Sequence, residues 1–198
     1  NLEKHIINCR RFGLNPVVAI NAFPNDTGAE VELVQKKCKA MGIRAIVADG
    51  WAQGGDGMIE LAKAIVEVVE SGHNKFKELY DWKLPIKEKI DIIAKQVYGA
   101  DEVIYSKKAE VDLRKIIGLG LEHLPICMAK TQKSFSDNAA LRGRPRGFSV
   151  NVREFEYAAG AGFIIPILGK MMRMPGLPSV PSSEGMTIDN DGKISGLS

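Results

Sequence analysis

Two hydrophobic rhythms alternate through the first seventy residues of the chain. Apolar residues at positions 2, 6, 7 and 9 give residues 2–12 a modest helical face, closed by Gly13. After Pro16, Val17-Val18-Ala19-Ile20 is a short unbroken apolar run, the signature of a buried parallel strand. Asn25-Asp26-Thr27 supplies N-cap chemistry, and Glu30, three residues after Thr27, completes a capping box for the next helix. That helix is expected to bury Val31, Leu33, Val34 and Cys38 and to end at Gly42. Residues 43–48 repeat the buried-strand pattern, 49–57 form a glycine-rich turn, and 58–70 predict an amphipathic helix ending at Gly72. Strand and helix in alternation predict a parallel α/β sheet.

The rhythm changes after Gly72. The charged stretch 73–83 predicts a further helix and leads to Pro85, which places a boundary between an α/β segment (1–83) and a smaller α/β subdomain (84–198). In the second part, Ile86, Ile90, Ile93 and Val97 share one face of a helix over 86–98, with Gly99 as its cap. A short strand over 103–105, a helix over 111–121 and a buried strand over 125–130 follow. Residues 131–145 are a polar loop, 147–152 a strand, and 160–169 a strand or glycine-rich crossover. Residues 174–181 are proline-rich and predict irregular packed chain. Residues 186–189 and 193–197, joined across Asn190-Asp191-Gly192, predict a C-terminal β-hairpin.

Composition narrows the classes. The 198 residues are 45% hydrophobic and 26% charged, ordinary for a globular protein with one large or two small domains. The net charge of +3 creates no strong polyanion field, so neither nucleic acid nor a membrane surface is an expected partner. The apolar stretch 163–168 falls far short of the ~20 residues that span a bilayer. The N-terminus has no signal-peptide pattern, lacks an initiator Met and begins inside a helical pattern, which suggests a fragment. Cys9, Cys38 and Cys127 are odd in number, widely spaced and set among apolar residues. They are read as buried free thiols in a reducing cytoplasm, with no metal-ligand spacing. His5, His73 and His123 sit in unrelated contexts and take no role, and Met171, Met172 and Met174 read as gap-filling residues.

Candidate chemistry gathers at two strand ends, where ligands of open α/β sheets bind. Asn21 ends the first strand, where its carboxamide could offer a donor and an acceptor to a purine edge, or hydrogen-bond the turn to Asp26. Phe23 and Trp51 each follow a predicted strand. They could hold a flat heterocycle between their faces, or plug the mouth of the sheet as a buried pair. Gly54-Gly55-Asp56-Gly57 could present backbone N–H groups to an anion, but no Lys-Ser/Thr follows, so it is not a Walker loop. The loop from Ala129 to Asn138, with Thr131 and Ser134, is dense in hydroxyls and amines that suit phosphate or carboxylate oxygens, or it is a solvated turn. Arg142, Arg144 and Arg146 extend a basic surface beside it.

These same segments resemble the formate–tetrahydrofolate ligase (10-formyltetrahydrofolate synthetase) family along the whole chain. The resemblance is carried by Val17-Val18-Ala19-Ile20-Asn21-Ala22-Phe23-Pro24, Asp26-Thr27 and Trp51-Ala52-Gln53-Gly54-Gly55. Leu84-Pro85, Ile93-Ala94, Tyr98-Gly99-Ala100 and the run from Leu124 to Gln132 continue it. Gly160-Ala161-Gly162-Phe163, Met174-Pro175-Gly176-Leu177-Pro178 and the run from Gly192 to Leu197 complete it. Ser198 departs from an expected C-terminal aromatic residue.

The resemblance implies a cytoplasmic, homo-oligomeric enzyme that phosphorylates formate with ATP and Mg²⁺ to formyl phosphate, which the N10 amine of tetrahydrofolate then attacks. It implies that Phe23 and Trp51 hold the folate. It also implies that Asn21, Thr131 and Ser134 lie near the nucleotide, and that residues 1–83 belong to the nucleotide- and folate-binding domain. The family's P-loop, its phosphate-binding Lys and its metal site belong to an N-terminal half not visible here. The expectation is therefore a C-terminal portion: a remnant of a P-loop-type parallel sheet followed by the smaller α/β subdomain, without activity by itself. A non-catalytic folate- or nucleotide-binding module, or an oligomerisation module derived from the enzyme, is the alternative.

Overall fold

The computed structural model describes residues 1–171 and 179–196. The chain is mixed α/β, with a parallel sheet in its first part and a mixed sheet in its second. Residues Leu2–Arg11 form α1, Val18–Asn21 β1, Gly28–Ala40 α2, and Ala45–Ala48 β2. Strands β1 and β2 pair in parallel, with Asn21 opposite Ala48. The capping box forms at α2: the Glu30 N–H donates to Thr27 Oγ1 and the Thr27 N–H donates to the Glu30 carboxylate at 2.9 Å. The first core is small, with Ile6, Cys38 and Ile43 buried and Val18, Val34, Met41 and Ala45 packed around them. Leu33 is exposed, against expectation, because this core takes only the Val34–Cys38 side of α2.

The segment 49–57 is not a simple turn. Gly50–Gln53 is a one-turn helix, α3, and Asp56–Met58 is a 3₁₀ turn that leads into α4, Ile59–Glu70. Residues 73–83 do not form the predicted helix. They run as an irregular strap whose Lys75 and Lys77 N–H groups donate to Gly13 and Phe12 carbonyls at 2.9 and 3.0 Å, while Phe76 stacks on Phe12 at 6.3 Å. The charged composition suited a solvated helix, but the α1 terminus offers free carbonyls and an aromatic face that the extended strap satisfies better.

Past Pro85, α5 (Ile86–Ile92) continues into a π-helical stretch, Ile93–Tyr98, capped by Gly99 in the left-handed region. Strand β3 is Glu102–Tyr105, helix α6 Lys107–Gly118, β4 Ser149–Ala158 and β5 Phe163–Leu168. Strand β4 pairs in parallel with β3 and antiparallel with β5, with a bulge at Arg153. Residues 125–130 run parallel to β5, bridged at Ile126 with Ile164 and Ala129 with Ile167, and the Cys127 and Ala129 N–H groups donate to the Ile164 and Pro166 carbonyls at 2.8 and 2.9 Å. The larger core is built here from Ile86, Ile90, Ile93, Leu113, Ile116, Val150, Val152, Phe155, Ile164 and Leu168, joined by Leu79 and Tyr80 of the strap. Residues Thr187–Ile188 (β6) and Ile194–Ser195 (β7) pair antiparallel. Most of the proline-rich stretch, with Met172, Met174 and Leu197, lies outside the described residues.

Polar contacts join the two parts. The widened π turn leaves carbonyls at Gln96 and Val97, to which Lys4 Nζ and Asn8 Nδ2 of α1 donate at 2.7 and 3.0 Å. Cationic and amide donors suit the negative end of a helix. Lys89 has no exposed surface, and its ammonium donates to the carbonyls of Trp82, Glu122 and Leu124 at 3.1, 2.7 and 2.8 Å. Of the cysteines only Cys38 is buried; Cys127 is exposed, lying between Ile126 and Met128, which turn their side chains to the larger core.

Candidate functional site

The first sheet sets the site. Because β1 and β2 are adjacent and in register, their carboxyl ends deliver Asn21, Phe23 and Trp51 to one edge. Ala22 extends the ladder by donating to Ala48 O at 3.1 Å, so Phe23 is the first residue free of it. Phe23 is 49% exposed and Trp51 67% exposed. Neither ring stacks on another aromatic side chain among the described residues, and the Trp51 indole N–H makes no hydrogen bond there. The two rings therefore do not plug the sheet as a buried pair. Large apolar side chains held out into solvent at strand ends suit a flat ligand.

The backbone beneath both rings is tightly specified. The Phe23 N–H donates to Asp26 Oδ2 at 2.8 Å, and the Asp26 N–H returns a bond to Phe23 O at 2.9 Å. Asp49 caps α3: its Oδ1 accepts the Ala52 N–H at 3.4 Å and its Oδ2 accepts from Gln53 Nε2 at 2.8 Å. At the far end of this loop the Asp49 N–H donates to Gly57 O at 3.2 Å. A Cβ on Gly57 would lie 2.2 Å from the Asp49 carbonyl oxygen, so only glycine permits this closure. Asp26 and Asp49 were legible in the sequence only as turn-forming residues; their spacing from an aromatic, three after Phe23 and two before Trp51, is the signal that marks them.

Asn21 is exposed and its carboxamide makes no hydrogen bond among the described residues, so it does not serve the turn to Asp26. Thr131 and Ser134 lie on a different surface, in a loop that packs on α1 through Phe135, 4.7 Å from His5 between ring centroids. Ser134 is buried, and its hydroxyl donates to Leu141 O and accepts the Ser136 N–H at 3.0 Å. Thr131 Oγ1 accepts the Lys133 N–H at 3.3 Å. Lys130 lies over the Tyr98 ring at 5.0 Å and donates to Thr131 O and Ser134 O; burial pushes its pKa down. Burial likewise pushes the Tyr98 phenol up to about 12. Arg142, Arg144 and Arg146 are exposed beside this loop.

Among the described residues, no three His, Cys, Asp or Glu side chains converge as a metal cage. Among the described residues no helix is long and apolar enough to cross a membrane.

The family model described as "Formate--tetrahydrofolate ligase" matches residues 1–198. The formate–tetrahydrofolate ligase of Limosilactobacillus fermentum is 50% identical over 197 residues, covering 100% of this chain and 35% of that protein. The chain thus spans about a third of the length of this curated relative. With its whole length matched by the family model, the chain belongs to the formate–tetrahydrofolate ligase family.

Proposed function

We propose that these residues hold tetrahydrofolate in an ATP-dependent ligase that makes 10-formyltetrahydrofolate from formate by way of formyl phosphate. The observation that carries this reading is the exposure of Phe23 and Trp51 at the carboxyl ends of adjacent parallel strands, in a chain of this family. Two such faces clamp the flat ring system of the folate. Ring stacking contributes ~0.5–1.5 kcal/mol per pair beyond the area buried. The clamp orients the N10 amine towards the formyl carbon, and phosphate leaves as the new C–N bond forms. Formate is a poor acyl donor, and phosphorylation gives it a good leaving group. The clamp's share is positioning, which lets a weakly nucleophilic aryl amine react from a bound pose.

The exposed carboxamide of Asn21 is the group on this edge best suited to a purine, while Thr131, on the other surface, supplies a hydroxyl that suits a nucleotide's phosphate oxygens. The Ser134 hydroxyl serves that loop's own shape and supports the nucleotide surface indirectly. Phosphoryl transfer depends on neutralising and aligning phosphates. Residues 1–198 contain no Walker sequence, so that step is assigned to residues outside these 198, and this chain alone is expected to make no 10-formyltetrahydrofolate.

Titration of the chain with tetrahydrofolate, read by tryptophan fluorescence, tests the clamp. Trp51→Ala is expected to abolish most of the quench and weaken binding about tenfold, with Phe23→Ala similar in size. Unchanged affinity in both variants would sink the stacking assignment. ATP-dependent product from the 198-residue chain alone would sink the division of labour.

A further inference from the structure

Trp51 and Phe23 raise a mechanical question that the clamp leaves open. A side chain that is 67% or 49% exposed has little packing to fix its direction. Binding then carries the entropy of ordering it unless something beneath it has already done so. The rings do not touch each other, so neither orders its partner. What remains is the backbone under each ring, and in both cases one aspartate carboxylate holds it. Asp26 accepts the N–H of Phe23 itself at 2.8 Å. Asp49 accepts the Ala52 N–H, adjacent to Trp51, and grips Gln53 at 2.8 Å from its other oxygen.

We propose that Asp26 and Asp49 are positioning residues that pre-set the two aromatic faces for the pterin ring, acting through the backbone of Phe23 and Trp51 and not by touching the ligand. This rests on the clamp reading above. The loop closure supports it at the second site. Asp49 anchors both ends of the turn, donating its own N–H to Gly57 O, and the close approach of Gly57 leaves no room for a side chain there. Release of the carboxylate would free a one-turn helix that is too short to persist without its cap. At Phe23 the reciprocal pair with Asp26 closes a tight turn between the strand end and the capped start of α2. The backbone that bears the Phe23 ring is thus held between β1 and the capped start of α2. Functional groups need this kind of support to within a fraction of an ångström.

The test uses the full-length ligase that contains these residues, with steady-state constants measured separately for tetrahydrofolate, ATP and formate. Asp26→Ala and Asp49→Ala are expected to raise KM for tetrahydrofolate about five- to tenfold while changing kcat and the other two KM values less than about twofold. Asp26→Asn and Asp49→Asn keep a short side-chain oxygen acceptor and are expected to restore most of the loss. Should an Ala variant fail to fold, Asp→Glu at the same site takes its place, since the longer side chain keeps the charge but misplaces the acceptor, and the same KM rise is expected. Two results overturn the proposal: a tetrahydrofolate KM unmoved in the Ala or Glu variants while Phe23→Ala and Trp51→Ala raise it, or a parallel loss for all three substrates that the Asn variants do not rescue. If Phe23→Ala and Trp51→Ala also leave that KM unmoved, the clamp itself fails, and with it the role of both aspartates.

Discussion

A lysine with no exposed surface carries a heavy desolvation cost, and Lys89 meets it with three backbone carbonyls. Burial pushes its pKa down, yet three acceptors can be satisfied together only by the three donors of an ammonium, so the proton stays on. One side chain thereby ties the strap at Trp82 and the turn at Glu122 and Leu124 to α5. Lys89→Met keeps the stem and removes the donors, and is expected to destabilise the fold by about 2–4 kcal/mol through the carbonyls left behind. Urea unfolding measures it; a loss below about 0.5 kcal/mol would mean that these carbonyls find other donors.

Among elements, the contact between α1 and the strap is the one the sequence concealed. Gly13 sits at φ 74°, and a Cβ there would lie 1.8 Å from Lys75 O. Gly13→Ala therefore meets both an unfavourable backbone region and a clash with backbone, and a loss of about 2–3 kcal/mol is expected in the same unfolding measurement. A near-neutral result would show that the strap can lift off α1 without consequence. Local signals read several other elements well. The Thr27–Glu30 box, the Gly99 cap and the run of Ile86, Ile90 and Ile93 all depend on neighbours within a turn or two, so spacing reveals them. Residues 73–83 depend on partners distant in sequence, and their charged composition assigned them to a helix they do not form. The same division holds at the site. The strand pattern puts Phe23 and Trp51 at the ends of paired strands, whereas the burial of the Ser134 hydroxyl and the packing of its loop on α1 arise from tertiary contacts that no spacing announces.

At the scale of the molecule, two cores of unequal size share the work. The larger surrounds β4, which is paired on both sides, while the smaller lies against a sheet of two strands. Exposed Ile59, Ile65, Val66 and Val69 on α4 belong to the lightly packed part, which also carries the exposed Phe23 and Trp51. Within this part the carboxylates of Asp26 and Asp49 fix the backbone at Phe23 and Ala52.

The two-stranded sheet has a further consequence in deuterium uptake. Val18 and Ala22 direct their N–H groups at β2, so by the alternation of a strand those of Ala19 and Asn21 point the other way, where no third strand is paired among the described residues. In deuterated water the amides of Ala19 and Asn21 should exchange well before those of Val150 and Val152 in β4, which has a neighbour on either side. Equal protection of the two sets would mean that the small sheet opens only with the whole molecule. Tetrahydrofolate clamped at the strand ends would then slow the exchange of Phe23 and Ala52, whose N–H groups the two aspartates hold, while leaving Ala19 as fast as before.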